Sequence, residues 1–154
     1  MSAYYSDTSA LAKRYGVEVG SGWIRALTAR SSGNELFTVA LTGPELIAAL
    51  VRRARGERQP TARVEATLAS IRFDWQNLYI LVEADDELVR RGMDVAERHA
   101  LRGYDAVHLA AAIAVRNLRE AGGLPEIVFV STDQEQLRAA ECEGFAGEDP
   151  NQYP

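Results

Sequence analysis

Four acidic residues of the chain stand where a β-type segment gives way to a helical one. Asp7 follows the short run YYS, Glu45 lies early in TGPELIAALVRR, Asp105 opens GYDAVHLAAA, and Asp133 follows EIVFVST. A single acid there needs no function, because it stabilises the helix dipole by a few tenths to about 1 kcal/mol. Four clustered carboxylates would instead raise one another's pKa, and a bound divalent cation would relieve that repulsion. Carboxylate oxygens suit Mg²⁺ or Mn²⁺, so the set predicts a metal site.

The acids can meet only if the intervening segments form a parallel sheet. Short apolar runs predict four strands and a fifth, short edge strand, and the run LYILV is typical of a buried strand. These strands are predicted over Met1–Ser6, Glu35–Ala40, Leu78–Val82, Glu126–Val130 and Phe145–Gly147.

Helical segments alternate with these strands. The spacing of apolar residues predicts helices over Thr8–Tyr15, Gly20–Arg30, Thr42–Gly56, Thr61–Trp75, Glu83–His99, Tyr104–Glu120 and Gln134–Glu143. Thr8 or Ser9 can cap the first of them. This alternation predicts an α/β fold with a parallel sheet, in which polar residues that follow the strands collect at the carboxyl edge.

Length and composition limit the alternatives. The 154 residues suffice for about one domain, which we place at residues 1–148 with a short polar tail over 149–154. The longest apolar run, AVHLAAAIAV, is too short for a bilayer, and the N-terminus has no export signal. The single cysteine, Cys142, suits a reducing cytoplasm, where we expect the protein to act. A net charge of −5 argues against non-specific coating of DNA by the whole surface.

Four stretches together resemble the PIN-domain ribonucleases, in particular the VapC-type toxins of bacterial and archaeal toxin–antitoxin pairs. They are YSDTSALAKRY, TGPELIAALVRR, LRGYDAVHLAAA and VFVSTDQEQLRAA, in this order over essentially the whole chain. The resemblance implies a PIN-like three-layer α/β/α sandwich with a mainly parallel sheet. It also implies that Asp7, Glu45, Asp105 and Asp133 are the family's catalytic, metal-binding acids.

The activity that this resemblance implies is hydrolysis of RNA phosphodiester bonds with Mg²⁺ or Mn²⁺. A bound ion would lower the pKa of a water molecule and stabilise charge on the phosphate. Ser9 and Ser131 would orient acids or waters around the ion, although either could equally be a helix cap. His108, three residues after Asp105, fits either a hydrogen-bonded core histidine or a partner of the acids.

An RNA substrate needs local positive charge to approach an acidic pocket. Residues 52–63 carry five arginines against Glu57 alone. Arg52 lies two helical turns after Glu45, on the same helix face, and is the strongest candidate for a phosphate contact. Lys13 and Arg14 lie two turns beyond Asp7 and are further candidates. A solvated basic helix face would explain the same residues.

Two partners follow from the resemblance alone. A cognate VapB-type antitoxin would lay a segment across the groove and could place an arginine among the acids. A homodimer is also expected, with the helix over Thr61–Trp75 as a candidate interface.

The main alternative is a PIN-like or receiver-like module that binds metal or RNA and cuts nothing. A receiver domain would place a lysine after its last strand, whereas Gln134, Glu135 and Gln136 follow Asp133. A phosphatase of the DxDxT kind would need an aspartate where Ser9 stands.

Overall fold

The chain folds into alternating strands and helices. The computed structural model describes residues 2–154, which form five strands: β1 (Ala3–Ser6), β2 (Glu35–Val39), β3 (Ile80–Val82), β4 (Ile127–Val130) and β5 (Ala146–Glu148). The same residues form seven α-helices: α1 (Thr8–Ala12), α2 (Ser21–Leu27), α3 (Thr42–Gly56), α4 (Thr61–Asn77), α5 (Asp86–His99), α6 (Gly103–Ala121) and α7 (Gln134–Cys142). Met1, the start of the predicted first strand, lies outside the described residues. None of the described helices is long and apolar enough to cross a membrane.

The strands form one sheet in the order β3-β2-β1-β4-β5, and every neighbouring pair is parallel. Parallel neighbours need a crossover connection, and helices supply each one here. The predicted α/β fold with a mainly parallel sheet between helices is therefore confirmed. Because all five strands run the same way, their carboxyl ends share one edge.

Side chains of the strands alternate between two helical layers. On one face, Tyr5 and Phe129 pack in a core with α5, α6 and α7. Four buried alanines of α6 let this helix approach the sheet closely: Ala106, Ala110, Ala111 and Ala112. On the other face, Leu36 and Val130 pack against α1 to α4. The predicted three-layer arrangement thus follows from the two-residue period of the strands.

Strand β3 was predicted as buried, and this prediction is wrong. Ile80 is 45% exposed and Leu81 39% exposed, because β3 pairs with β2 alone and forms the edge of the sheet. An apolar run indicates a strand but does not encode its place in the strand order.

The last residues, predicted as a polar tail, pack on the domain. Pro150 is buried, and the Tyr153 ring stacks on Trp23 of α2 with a centroid separation of 4.5 Å. Gly20, which precedes α2, has φ +84° and lies against the Pro150 carbonyl, where a Cβ would collide. Residues 149–154 therefore contribute to the fold.

A buried polar network joins α4 to the turn after α1. The Arg14 Nε donates to Asp74 Oδ2 at 2.8 Å, and the Tyr15 hydroxyl donates to the same oxygen at 3.0 Å. The hydroxyls of Tyr15 and Tyr79 lie 2.8 Å apart, and burial raises the pKa of Tyr79 to about 12. Both phenols therefore stay neutral and able to donate near pH 7.

Removing the acceptor of this network is expected to destabilise the fold. Asp74→Ala would leave the half-buried Arg14 guanidinium and the Tyr15 hydroxyl without their shared acceptor, at a cost of about 3 kcal/mol. Urea denaturation followed by circular dichroism measures this loss. The matched control is Glu87→Ala, which breaks only exposed pairs with Arg90 and Arg91. Equal stability of the two variants would show that the network contributes nothing.

Candidate active site

Asp7 lies at the carboxyl end of the central strand β1 and caps α1. Its Oδ1 accepts a hydrogen bond from the Ala10 backbone N–H at 2.8 Å, so the helix cap is Asp7 rather than Thr8 or Ser9. The Ser9 hydroxyl donates to the same carboxylate at 2.8 Å, and the Ser131 hydroxyl donates at 2.6 Å. Both serines therefore orient this acid.

The charged form of Asp7 is disfavoured by burial. Its residue is only 4% exposed, and burial raises the pKa of its carboxyl despite opposing contributions from His108, Ser131, Ala10 and Ser9. Desolvation disfavours a charge that lacks a compensating cation.

Gln136 connects two of the segments that carry the acids. It is fully buried on α7, its Oε1 lies 3.1 Å from the Ser131 hydroxyl, and its Nε2 donates to the Asp105 carbonyl at 3.1 Å. It thereby links β4 to the first turn of α6. Nothing in the sequence predicts this role, since a glutamine in the first turn of a polar helix carries no distinguishing pattern.

Glu45 lies in the first turn of α3, and its carboxylate accepts a hydrogen bond from the Thr8 hydroxyl. His108 Nε2 lies 3.1 Å from the same oxygen, and His108 Nδ1 lies 3.1 Å from the Tyr5 hydroxyl. Burial alone would raise the pKa of Glu45, but the hydrogen bonds from His108 and Thr8 together lower it. Glu45 is therefore held as a carboxylate.

His108 combines the two roles that the sequence left open. It is 3% exposed within α6, as a core histidine would be, and it contacts an acid of the site. The contacts are all satisfied when Nε2 carries the proton for Glu45 and Nδ1 accepts from Tyr5. Burial raises the pKa of Tyr5 well above its usual value, so its hydroxyl remains a donor. Tyr5 and Thr8 were not predicted as site residues.

Asp105 and Asp133 complete the acidic edge. Burial raises the pKa of Asp105, and the charges of Asp133 and Asp7 raise it further. Asp133 caps α7, and its Oδ1 accepts from the backbone N–H groups of Glu135 and Gln136 at 2.8 and 3.2 Å. The charges of Asp7, after β1, and of Asp133, in the β4–α7 turn, thus both act on Asp105 at the start of α6.

This donor set suits a hard divalent cation. The donors are mainly carboxylate and hydroxyl oxygens, and a cation would offset both the burial of Asp105 and the charges of Asp133 and Asp7 that raise its pKa. Within residues 2–154, no three acidic, histidine or cysteine side chains already lie close enough to hold an ion. The residues fit Mg²⁺ or Mn²⁺ in chemistry, and ion binding would have to draw the carboxylates closer together.

Two of the three basic residues predicted to contact RNA phosphate instead form hydrogen bonds and ion pairs within the protein. Lys13 is buried, and its Nζ donates to the Val19 carbonyl at 2.8 Å and pairs with Glu18. Arg14 belongs to the Asp74 network. Their spacing from Asp7 suggested that both side chains lie at the surface, but the Lys13 side chain is buried and the Arg14 side chain is mostly buried. Arg52 is exposed and remains a candidate.

The fold and the acidic edge define the PIN-like class of α/β proteins, and two solved structures share the fold. PAE2754 from Pyrobaculum aerophilum has a TM-score of 0.63 and 22% identity, over 98% of this chain and 91% of that one. FitAcB from Neisseria gonorrhoeae has a TM-score of 0.60 and 13% identity, over 96% and 97%. No family model matches the sequence.

Sequence similarity identifies the family. The chain is 35% identical over 118 residues to Ribonuclease VapC45 of Mycobacterium tuberculosis (strain CDC 1551 / Oshkosh), which covers 75% of this chain and 78% of that protein. The chain belongs to the VapC ribonuclease family.

Proposed function

We propose that this protein is a Mg²⁺- or Mn²⁺-dependent endoribonuclease that acts as the toxin of a VapBC-type toxin–antitoxin pair. The observation that supports this most strongly concerns the pKa of Asp105. Burial raises this pKa most, and the charges of Asp133 and Asp7 raise it further, as expected of three neighbouring acids. A protein that binds no cation gains nothing from such crowding. The name of the curated relative supports RNA as the substrate.

Each acid has a distinct part in this proposal. Asp7 and Asp105 hold the ion, with Glu45 and Asp133 as further ligands, directly or through water. The ion, when bound, supplies the acidity that makes a water molecule nucleophilic and the charge that stabilises the phosphate. Ser9 and Ser131 hold the Asp7 carboxylate in one orientation, and Gln136 fixes α6 relative to β4.

The Tyr5–His108 pair controls Glu45. A hydrogen-bonded histidine beside an acid fixes the direction of the carboxylate, and Tyr5 in turn fixes the ring of His108. Glu45 is thereby kept charged and pointed toward the carboxyl edge. His108 is a positioning residue in this scheme, because it acts through its contact with Glu45.

Two partners belong to the proposal. A cognate antitoxin would block the acidic edge, and one of its basic side chains would pair with the carboxylates. A homodimer is also proposed, with α4 as its interface, because this helix exposes Phe73. The Arg30 guanidinium lies over the Phe73 ring, 5.0 Å from its centroid. A sedimentation experiment that finds only monomers at micromolar concentration would contradict the dimer.

The decisive experiment is RNA cleavage by the purified protein. Total cellular RNA is incubated with the protein and Mg²⁺ or Mn²⁺, and the 5′ ends of new fragments are mapped. We expect a small number of discrete cuts that disappear in the Asp105→Asn variant. If a broad screen of RNAs yields no cut but RNA and metal still bind, the protein is instead a non-catalytic binding module.

A further inference from the structure

A groove with apolar walls opens directly beside the acids. Its cavity of about 740 Å³ lies between α5 and the start of α6, and Glu45 and Asp105 are among the residues that line it. The walls are apolar and aromatic, and they include Leu41, Val89, Met93, Ala96, Tyr104 and Val107. The proposed hydrolysis uses none of these wall residues.

Several large apolar side chains in the walls of this groove are exposed to solvent. Met93 is 67% exposed, Tyr104 62% and Val89 46%. Gly92 lets α5 pack closely on α6, because a Cβ there would lie 3.1 Å from Val107 Cγ2. The groove floor is therefore fixed by helix packing. A contiguous apolar patch beside a functional site marks a surface that binds something.

We propose that the groove binds an unstacked base of the RNA substrate, next to the phosphate that is cut, with Tyr104 as the stacking surface. This inference rests on the proposed ribonuclease function. Single-stranded RNA is recognised by splayed bases that stack on aromatic side chains, and stacking tolerates any base. Tyr104 directly precedes Asp105, so a phosphate at the acids places a neighbouring nucleoside over the groove.

The charge around the groove suits a nucleotide. Arg102 lies at its rim, is exposed, and forms no ion pair within the described part of the chain. A guanidinium can bind a flanking phosphate or stack on a base. The apolar walls would contact the base, and Arg102 would contact the backbone of the same RNA strand. The acids that line the groove would lie next to the phosphate that is cut. An antitoxin segment and a second copy of this chain are the competing occupants.

Cleavage kinetics test the groove. The probe is a single-stranded RNA that contains a mapped cleavage site, and kcat/KM is measured for wild type and variants. Tyr104→Ala is expected to lower kcat/KM by about tenfold or more, because one stacked base is lost. Tyr104→Phe, which retains the ring, should restore most of the loss. The matched control is Leu118→Ala, which removes an exposed apolar side chain near the opposite end of α6 and should behave as wild type.

A crosslinking experiment locates the base independently of turnover. RNA with 4-thiouridine beside the cleavage site is bound with Mg²⁺ and irradiated, and crosslinked peptides are identified by mass spectrometry. Crosslinks to residues 93–104 support the inference. Crosslinks elsewhere, or unchanged cleavage by Tyr104→Ala, overturn it while the ribonuclease function stands. If wild type cuts no RNA, the proposed function fails and this inference, which rests on it, fails as well. A Tyr104→Ala variant that changes only the sedimentation coefficient would assign the groove to a second copy and overturn the inference.

Discussion

Asp7→Asn is expected to reduce RNA cleavage by at least about a hundredfold and to leave the folded protein as stable as wild type or more stable. Changes to groups that merely orient a metal ligand cost about 10- to 100-fold, so loss of a ligand charge should cost more. The amide retains an oxygen that can accept from the Ala10 N–H, so the cap of α1 survives. Asp7 is 4% exposed, and its charge is unfavourable for folding.

The sign of the pH dependence follows from the raised pKa of Asp7. A carboxyl whose pKa is higher in the folded protein than in the unfolded chain favours folding at low pH, where it is protonated in both states. That contribution is lost as pH rises from the ordinary aspartate range through the folded pKa. Asp7→Asn should therefore gain stability relative to wild type between pH 4 and pH 7. Thermal unfolding at both pH values measures this difference.

An exposed aspartate provides the control for Asp7. Asp94 lies on the solvent side of α5, so Asp94→Asn changes the net charge equally without touching the site. It should alter neither cleavage nor the pH trend. Full cleavage by Asp7→Asn would remove this residue from the proposed metal site. A large loss of stability would mean that the charge itself is needed for the cap.

Divalent metal is expected to stabilise the wild-type protein strongly and to be required for cleavage. A ligand at a hundred times its Kd stabilises a fold by about 2.7 kcal/mol, which raises the Tm of a protein of this size by roughly 5–10 °C. The physical source here is relief of the repulsion among Asp7, Asp105 and Asp133. Thermal unfolding with increasing Mg²⁺ or Mn²⁺ measures the shift, and EDTA should abolish cleavage.

The metal experiment needs controls for ionic strength and for the site. NaCl at matched ionic strength should not reproduce the shift, since screening acts on all surface charges alike. Asp105→Asn should lose most of the stabilisation by metal, because one ligand and part of the repulsion are gone. Cleavage by metal-free protein in EDTA, or an undiminished shift in Asp105→Asn, would contradict the proposed metal site.

The sequence by itself determined the fold class and the positions of the acids. The alternation of apolar strands with amphipathic helices requires parallel crossovers, and parallel strands end at one edge. Asp7 and Asp133 follow strands and Asp105 lies in the first turn of a helix, so the local pattern predicts that they share this edge. The bounds of α3, Thr42–Gly56, were predicted without error because Pro44 and Gly56 mark its two ends.

Only the tertiary structure decided which side chains support the acids. Gln136, Tyr5 and Thr8 reach the site through contacts between residues 5 to 103 positions apart, and no local periodicity encodes such pairs. The same reason explains the errors at β3 and Lys13. A residue's exposure depends on which elements pack beside it, so an apolar run can lie at an edge and a lysine can lie inside.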